Sequence, residues 1–217
     1  MSEQIFGPPP WLVLFVGAKA SGKSVLIKYV CKAYAAQFAY IIVFSPTALN
    51  GFYDFLPEKY VYPDYDPEVM NAVFAKQETF ERAKKNVHCL VIFDDIIGSD
   101  TIDFEKRKAN ELTKLWMANR HWNISAIVVT QSLKRVPRVL RDNVDFACIF
   151  RVMREAYAGL YETFGHTDRR EFFHFIEENT MNYKIILYKA AVANPADHFK
   201  IFQLPREALE RRFKLVY

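Results

Sequence analysis

The sequence predicts an α/β domain built on a mostly parallel sheet with helices packed on both faces. Unbroken apolar runs of strand length alternate along the chain with segments whose apolar residues recur at helical spacing. In addition, the stretch "LFVGAKASGKSVLIKYV" at 14–30 joins a strand to a helix through a glycine-bracketed loop. With 217 residues, 51% of them apolar, the chain can fill one sizeable core, and two full domains would be a squeeze. One domain over 1–217 is expected, with a short entry segment at 1–10 and a strand and helix extension at 183–217.

The elements follow in order. Pro8, Pro9 and Pro10 stiffen the entry, and "WLVLFV" at 11–16 reads as a buried strand. A helix is expected over 23–37, with Val25, Ile27, Tyr29, Val30 and Ala33 facing the core. "YIIVFSP" at 40–46 is a second strand, stopped by Pro46. The aromatic and proline-rich segment 47–67 reads as irregular, with part of it covering a nucleotide or facing a neighbouring subunit; its aromatics at 52, 53, 55, 60, 62 and 65 mark an interface or pack locally in the core. Helical spacing returns over 68–85, interrupted by Gln77. "VHCLVIFDD" at 87–95 is a strand ending in two acids. A helix over 104–118, the strand "ISAIVVTQS" at 124–132, a short helix at 137–141 and the strand "FACIFR" at 146–151 come next. Helices around Ala156 and over 170–178, a strand at 183–190 and a charged helix from about Pro205 complete the reading.

Composition excludes several classes. A charged fraction of 25% argues against wholesale disorder, and a net charge of +4 permits a nucleic-acid partner without requiring one. Cys31, Cys89 and Cys148 are too far apart for metal or redox pairs, and three is the wrong number for a disulfide framework. The apolar start lacks a basic leader, and no run reaches membrane-spanning length, so an intracellular soluble protein without stable membrane insertion is expected. His121 and His166 have no zinc-like spacing.

Gly17, Gly22, Lys23 and Ser24 complete the pattern G-x-x-x-x-G-K-[ST], so the loop formed by Gly17, Ala18, Lys19, Ala20, Ser21, Gly22, Lys23 and Ser24 is expected to bind ATP. Its backbone N–H groups can curl around phosphate while the following helix presents its positive end. Lys23 reaches the β and γ oxygens, and the Ser24 hydroxyl suits Mg²⁺. "CLVIFDD" carries Asp94 beside the loop, where it can hold Mg²⁺ through water. Asp95 is then either the base that polarises an attacking water or the cap of a turn. The length between Lys23 and Asp94 suits the class with an extra strand between the phosphate-loop strand and the acidic strand. Thr130-Gln131 is a further polar strand end. Gln131 there contacts the attacking water or the γ-phosphate, or simply ends the strand.

Lys134, Arg135, Arg138 and Arg141 follow, Arg151 and Arg154 flank the next strand, and Arg120 precedes His121 and Trp122. Such arginines enter a neighbouring subunit's site, contact DNA phosphates, or form a solvated face. Arg120 and Arg141 lean toward interface roles.

"GAKASGKS", "LVIFDD" and "NRHWNISAIVVTQSLKRVPRVLRDNVDFACIF" together resemble the genome-packaging ATPases of large DNA viruses and related membrane-containing icosahedral viruses, the poxvirus-type members of the FtsK–HerA superfamily. The third stretch is the more discriminating, with Pro137, Arg141 and Asn143 in a P-x-x-x-R-x-N-like segment. The likeness covers about 11–190. It implies a three-layer P-loop NTPase sandwich of additional-strand, RecA/FtsK-like type. It also implies a homo-oligomeric ring, hexamer or pentamer, that uses ATP and Mg²⁺ to move double-stranded DNA into a preformed capsid, with the viral capsid or portal vertex as partner. The place of action would be the virion or the host-cell site of viral assembly. The resemblance assigns phosphate and metal binding to Lys23 and Ser24, water-mediated Mg²⁺ coordination to Asp94, the catalytic acid position to Asp95, sensing to Gln131, and the trans-acting position to Arg120 or Arg141. Lys19 and Ala20 depart from the smaller residues frequent in this loop, and Lys19 either adds a phosphate contact or faces solvent. A nucleotide or small-molecule kinase and a non-motor nucleotide-dependent switch are the alternatives.

Overall fold

Leu12–Val16 forms a strand (β1) in which every residue is buried, and its alternating side chains enter two different cores. Leu12, Leu14 and Val16 face one cluster, while Val13 and Phe15 face the other. A strand apolar on both faces needs cover on both sides, which places β1 in the middle of a layered domain. The computed structural model describes residues 4–96, 111–203, 213–215 and 217.

Helix α1 spans Lys23–Ala33. Strands β2 (Phe38–Phe44) and β3 (Val61–Tyr62) precede helix α2 (Pro67–Arg82) and strand β4 (His88–Asp94). Helix α3 (Glu111–Ala118) and strand β5 (Ile124–Thr130) are followed by α4 (Arg138–Asp142), β6 (Phe146–Ile149), α5 (Tyr157–Phe164), α6 (Arg169–Asn179), β7 (Lys184–Lys189) and β8 (Phe199–Gln203). The eight strands form one sheet in the order β3-β2-β4-β5-β1-β6-β7-β8. Strands β3 through β6 in that order are parallel, and β7 and β8 add an antiparallel edge.

The two layers of cover are unequal. α1 and the aromatic residues Tyr53 and Phe55 build one core, whereas α2, α3, α4, α5 and α6 all send side chains into the other. Cys31, Cys89 and Cys148 are buried free thiols.

The structure refines the sequence reading at several points. α1 ends at Ala33 rather than residue 37, because Tyr34 is buried and its hydroxyl binds the backbone N–H (2.7 Å) and carbonyl of Phe6. Leu26 and Cys31 are fully buried, while Val25 and Ala33 are half-buried on the flank. For the aromatics of 47–67 the core-packing alternative describes several residues, and the segment also supplies β3. Tyr53 and Phe55 are buried, Tyr60 stacks on Tyr40, and Tyr62 and Tyr65 pack tilted and edge-on against Phe44. β8 was missed because it is a short edge strand with mostly exposed residues. The expected helix portion at 104–110 and the charged helix from Pro205 lie outside the described residues.

Gln77, the break in the apolar stripe of α2, is buried and useful. Its Nε2 donates to the carbonyls of Val87 and Trp122 (2.8 Å each), and its Oε1 accepts from the Tyr40 hydroxyl (3.1 Å). It ties α2 to the amino ends of β4 and β5, and each of its polar groups is satisfied.

Candidate nucleotide site

The carboxyl ends of the parallel strands gather the site residues. After β1, the chain is held from both sides: Gly17 N–H donates to the carbonyl of Thr130 (3.2 Å), the last residue of β5, and Ala18 N–H donates to the Arg151 carbonyl (2.8 Å) beyond β6. Gly17 is needed there because a Cβ would stand 2.6 Å from both the Phe150 Cβ and the Ser21 Oγ. Gly22 precedes α1 with φ of 103°, a left-handed conformation that glycine adopts at little cost. The first turn of α1 carries no acidic side chain, so its positive end is left for an external anion. Ser21 Oγ is buried without a hydrogen-bond partner among the described residues, whereas Lys19 and Ala20 are exposed. Lys19 faces solvent.

Lys23 folds back across this loop. Its ammonium donates to the carbonyls of Gly17 (2.6 Å) and Ala18 (2.9 Å), and the residue is only 7% exposed. Burial lowers its pKa, and the charges of Asp95 and then Asp94 oppose that shift.

The acidic pair lies two strands away. β4 and β1 do not touch, because β5 runs between them, pairing Val129 with Asp94 and Thr130 with Val16. Asp94 is buried, and its Oδ2 accepts from the Tyr53 hydroxyl (2.6 Å) and from Ser45 Oγ (3.3 Å). Burial pushes the Asp94 carboxyl above the usual carboxylate range. The Tyr53 hydrogen bond opposes the rise, the Asp95 charge adds to it, and Ser45 and Lys23 oppose it. Burial, reinforced by the Asp94 charge, raises the Tyr53 phenol, so Tyr53 remains a donor.

Asp95 is exposed with φ of 55°, an unusual conformation that aspartate tolerates better than most residues, and its N–H donates to the Val129 carbonyl (3.1 Å). Gln131 Nε2 donates to Asp95 Oδ2 at 2.9 Å. The preceding Thr130 Oγ1 bonds the carbonyl and N–H of Ser132, turning the chain so that Gln131 stands at the strand mouth. Lys23, Asp94, Asp95 and Gln131 therefore meet around one loop, although they stand at or beyond the ends of three different strands.

The two arginines do not join them. Arg120 precedes β5 at the amino edge of the sheet and pairs with Asp145 (2.7 Å), whose other oxygen accepts from Leu12 N–H at the start of β1 (2.8 Å). The five-residue length of β1 separates that edge from the phosphate loop. Arg141 lies half-buried in the last turn of α4, with Nη1 donating to Thr163 Oγ1 (3.3 Å) and Nε buried without a partner among the described residues. Lys134, Arg135, Arg151 and Arg154 are exposed on the carboxyl side, after β5 and β6.

Tyr53 and Ser45 escaped the sequence reading. Ser45 had a signal: it directly follows β2, the other neighbour of β4, as a polar residue after seven apolar ones. Tyr53 had none, because its hydroxyl reaches Asp94 only through the fold of the 45–56 segment.

Residues 8–195 match the family described as Poxvirus A32 protein. The chain belongs to the poxvirus A32 protein family. Among curated relatives of this family member, "Uncharacterized protein 015R" of Frog virus 3 (isolate Goorha) is 25% identical over 197 residues, covering 88% of this chain and 60% of its own. "DNA packaging protein OPG160" of Variola virus is 26% identical over 161 residues, covering 66% of this chain and 54% of its own. The chain thus spans about half to three-fifths the length of these relatives. Its fold is that of the genome packaging NTPase B204 from Sulfolobus turreted icosahedral virus 2, solved with ATP-gammaS. The TM-score is 0.66 at 18% identity, with 91% of this A32-family chain and 98% of that one covered. The A32-family chain is accordingly a P-loop sandwich with a mostly parallel eight-stranded sheet and an additional strand between the loop strand and the acidic strand.

Proposed function

We propose that the chain is an ATP-hydrolysing motor subunit that assembles as a ring and moves viral double-stranded DNA into a preformed capsid. The observation that carries this reading is the gathering of Asp95 and Gln131 opposite Lys23, across the inserted strand β5. The phosphate-loop and acidic strands are separated, unlike the adjacent pair usual in small-molecule kinases. The packaging names borne by the family's relatives and by the structural neighbour support the same reading.

In this mechanism the triphosphate occupies the loop, and Lys23 exchanges its two carbonyl partners for phosphate oxygens. Asp95, oriented by Gln131, polarises a water for attack on the γ-phosphorus, releasing ADP and phosphate. The donor set suits Mg²⁺, a hard cation that takes oxygen ligands and keeps several waters. Ser24 offers a hydroxyl, and both hydroxyl donors to Asp94 use Oδ2, leaving Oδ1 for a metal-bound water. Bound there, Mg²⁺ would neutralise phosphate charge. A trans-acting arginine, Arg120 or Arg141, would come from a neighbouring protomer, since each stands outside its own protomer's site. The exposed Lys134, Arg135, Arg151 and Arg154 are candidate contacts to DNA phosphates.

The test is ATP hydrolysis with and without double-stranded DNA while solution mass is recorded. An oligomer whose hydrolysis rises with DNA is expected. A monomer indifferent to DNA overturns the motor, and phosphoryl transfer to an acceptor points to a kinase.

Tyr53→Phe isolates the support beneath Asp94. Removing the hydroxyl removes a bond that favours the carboxylate, so the Asp94 pKa rises further. Activity that needs the ionised form then falls away at higher pH than in the wild type as the solution is acidified. A hydrogen bond to a charged group contributes about 1.5–3 kcal/mol, so the Mg²⁺ needed for half-maximal hydrolysis should rise about tenfold or more. An unchanged acid limb and Mg²⁺ requirement would remove Tyr53 from this role.

A further inference from the structure

The phosphate-binding residues define a direction as well as a place. Asp94, Asp95 and Gln131 lie on the β4–β5 side of the loop strand, so they fix where the terminal phosphate goes. The nucleoside then extends toward the opposite side, where β6 flanks β1 and β7 flanks β6. β7 is antiparallel to β6, with Ile186 opposite Ile149. The turn that opens β7, Met181–Tyr183, therefore arrives at the same sheet edge as the loop.

That turn presents Tyr183. Its ring stands beside the loop, because a Cβ placed on Gly22 would lie 3.8 Å from Tyr183 Cδ1. The side chain is nevertheless 69% exposed, and it is the aromatic residue among the large exposed apolar side chains of the described chain. The others are Leu49, Met117, Met153, Met181 and Ile201, all aliphatic. The backbone holds it outward by an uncommon arrangement: Asn182 and Tyr183 are consecutive left-handed residues, with φ of 55° and 60°. Non-glycine residues rarely adopt this conformation, and a bulky one does so only where its surroundings impose it. The surroundings here include Gln203 of β8, whose Nε2 donates to the Asn182 carbonyl at 2.8 Å. Beneath the loop the space is already filled by the fully buried Phe150, so among the described residues beside the loop the aromatic surface open to a ligand is the Tyr183 ring.

We propose that Tyr183 is the platform for the nucleobase, its ring stacking on the base of the nucleoside triphosphate whose phosphates the loop holds. This rests on the phosphate-loop reading and adds a subsite to it. Stacking uses the π-face that every base has, so the subsite supplies affinity for a nucleoside rather than a strict choice among bases. Purines, with the larger ring area, bind more tightly than pyrimidines.

Calorimetric titration of the full chain with ATP and with inorganic tripolyphosphate tests the proposal. Wild type binds ATP more tightly than tripolyphosphate. Tyr183→Ala should weaken ATP binding about tenfold and leave tripolyphosphate within about twofold, while Tyr183→Trp should retain the wild-type ATP affinity. Unchanged ATP binding by Tyr183→Ala overturns the platform, and so does an equal loss of ATP and tripolyphosphate. Lys23→Ala separates the two readings, since it should weaken both ligands. If wild type binds neither ligand, or Lys23→Ala weakens neither, the phosphate-loop reading has failed and the platform fails with it.

Discussion

Lys23→Ala should lower ATP hydrolysis by roughly 10²–10³-fold, the range seen when one preorganised donor to transition-state charge is removed. The lysine is suited to this because it is held before any phosphate arrives. Its ammonium is buried and fixed by two loop carbonyls, and Asp95 and Asp94 help keep it charged against the cost of burial. Exchanging carbonyl oxygens for phosphate oxygens therefore needs little reorganisation. Alanine removes the cation and leaves the loop anchored by Gly17 and Ala18, whose bonds go to backbone carbonyls of Thr130 and Arg151. Circular dichroism should accordingly report an intact fold. Full hydrolysis by this variant would place the chemistry elsewhere.

Asp95→Asn should reduce kcat by roughly 10²–10⁴-fold, the usual contribution of a positioned acid or base, with a much smaller effect on the KM for ATP. The amide occupies nearly the same space but cannot accept a proton from water. Gln131→Ala should also reduce kcat, because it frees the carboxylate that the glutamine holds at 2.9 Å. Combining the two should cost little more than Asp95→Asn alone, since Gln131 has nothing left to orient. Fully additive losses in the double variant would show that Gln131 acts on the phosphate or on a neighbour independently of Asp95.

These residues differ in how visible they were beforehand. Lys23 and Ser24 were legible because the loop chemistry is local: a strand, two glycines, a lysine and a hydroxyl at set spacing. Asp94 was nearly as legible, because a carboxylate closing the apolar run "CLVIF" is costly to bury unless a cation or a hydrogen-bond donor meets it. Gln131 was readable as a polar strand end, but its partner was not, since the bond to Asp95 crosses 36 residues. Tyr53 was read only as one of several aromatics, because burial and hydrogen bonding of its hydroxyl depend on β2 lying beside β4. Tyr183 looked like the first residue of a strand, and a left-handed φ at a tyrosine leaves no trace in residue type.

Composition and periodicity determined the α/β class and the strands β1, β2, β4, β5, β6 and β7, and motif spacing determined the phosphate loop, since these depend on short-range patterns of burial and backbone freedom. Tertiary structure decided which strand ends face one another. Parallel strands place their carboxyl ends on one edge, but strand order is a matter of long-range packing, and it sets β5 between β1 and β4. The parallel direction of β5 leaves Arg120, which precedes it, at the opposite edge from the loop, and the placing of an antiparallel β7 beside β6 brings the turn before β7 alongside Gly22. The contacts that join Lys23, Asp94, Asp95 and Gln131 into one site exist only once the sheet has formed.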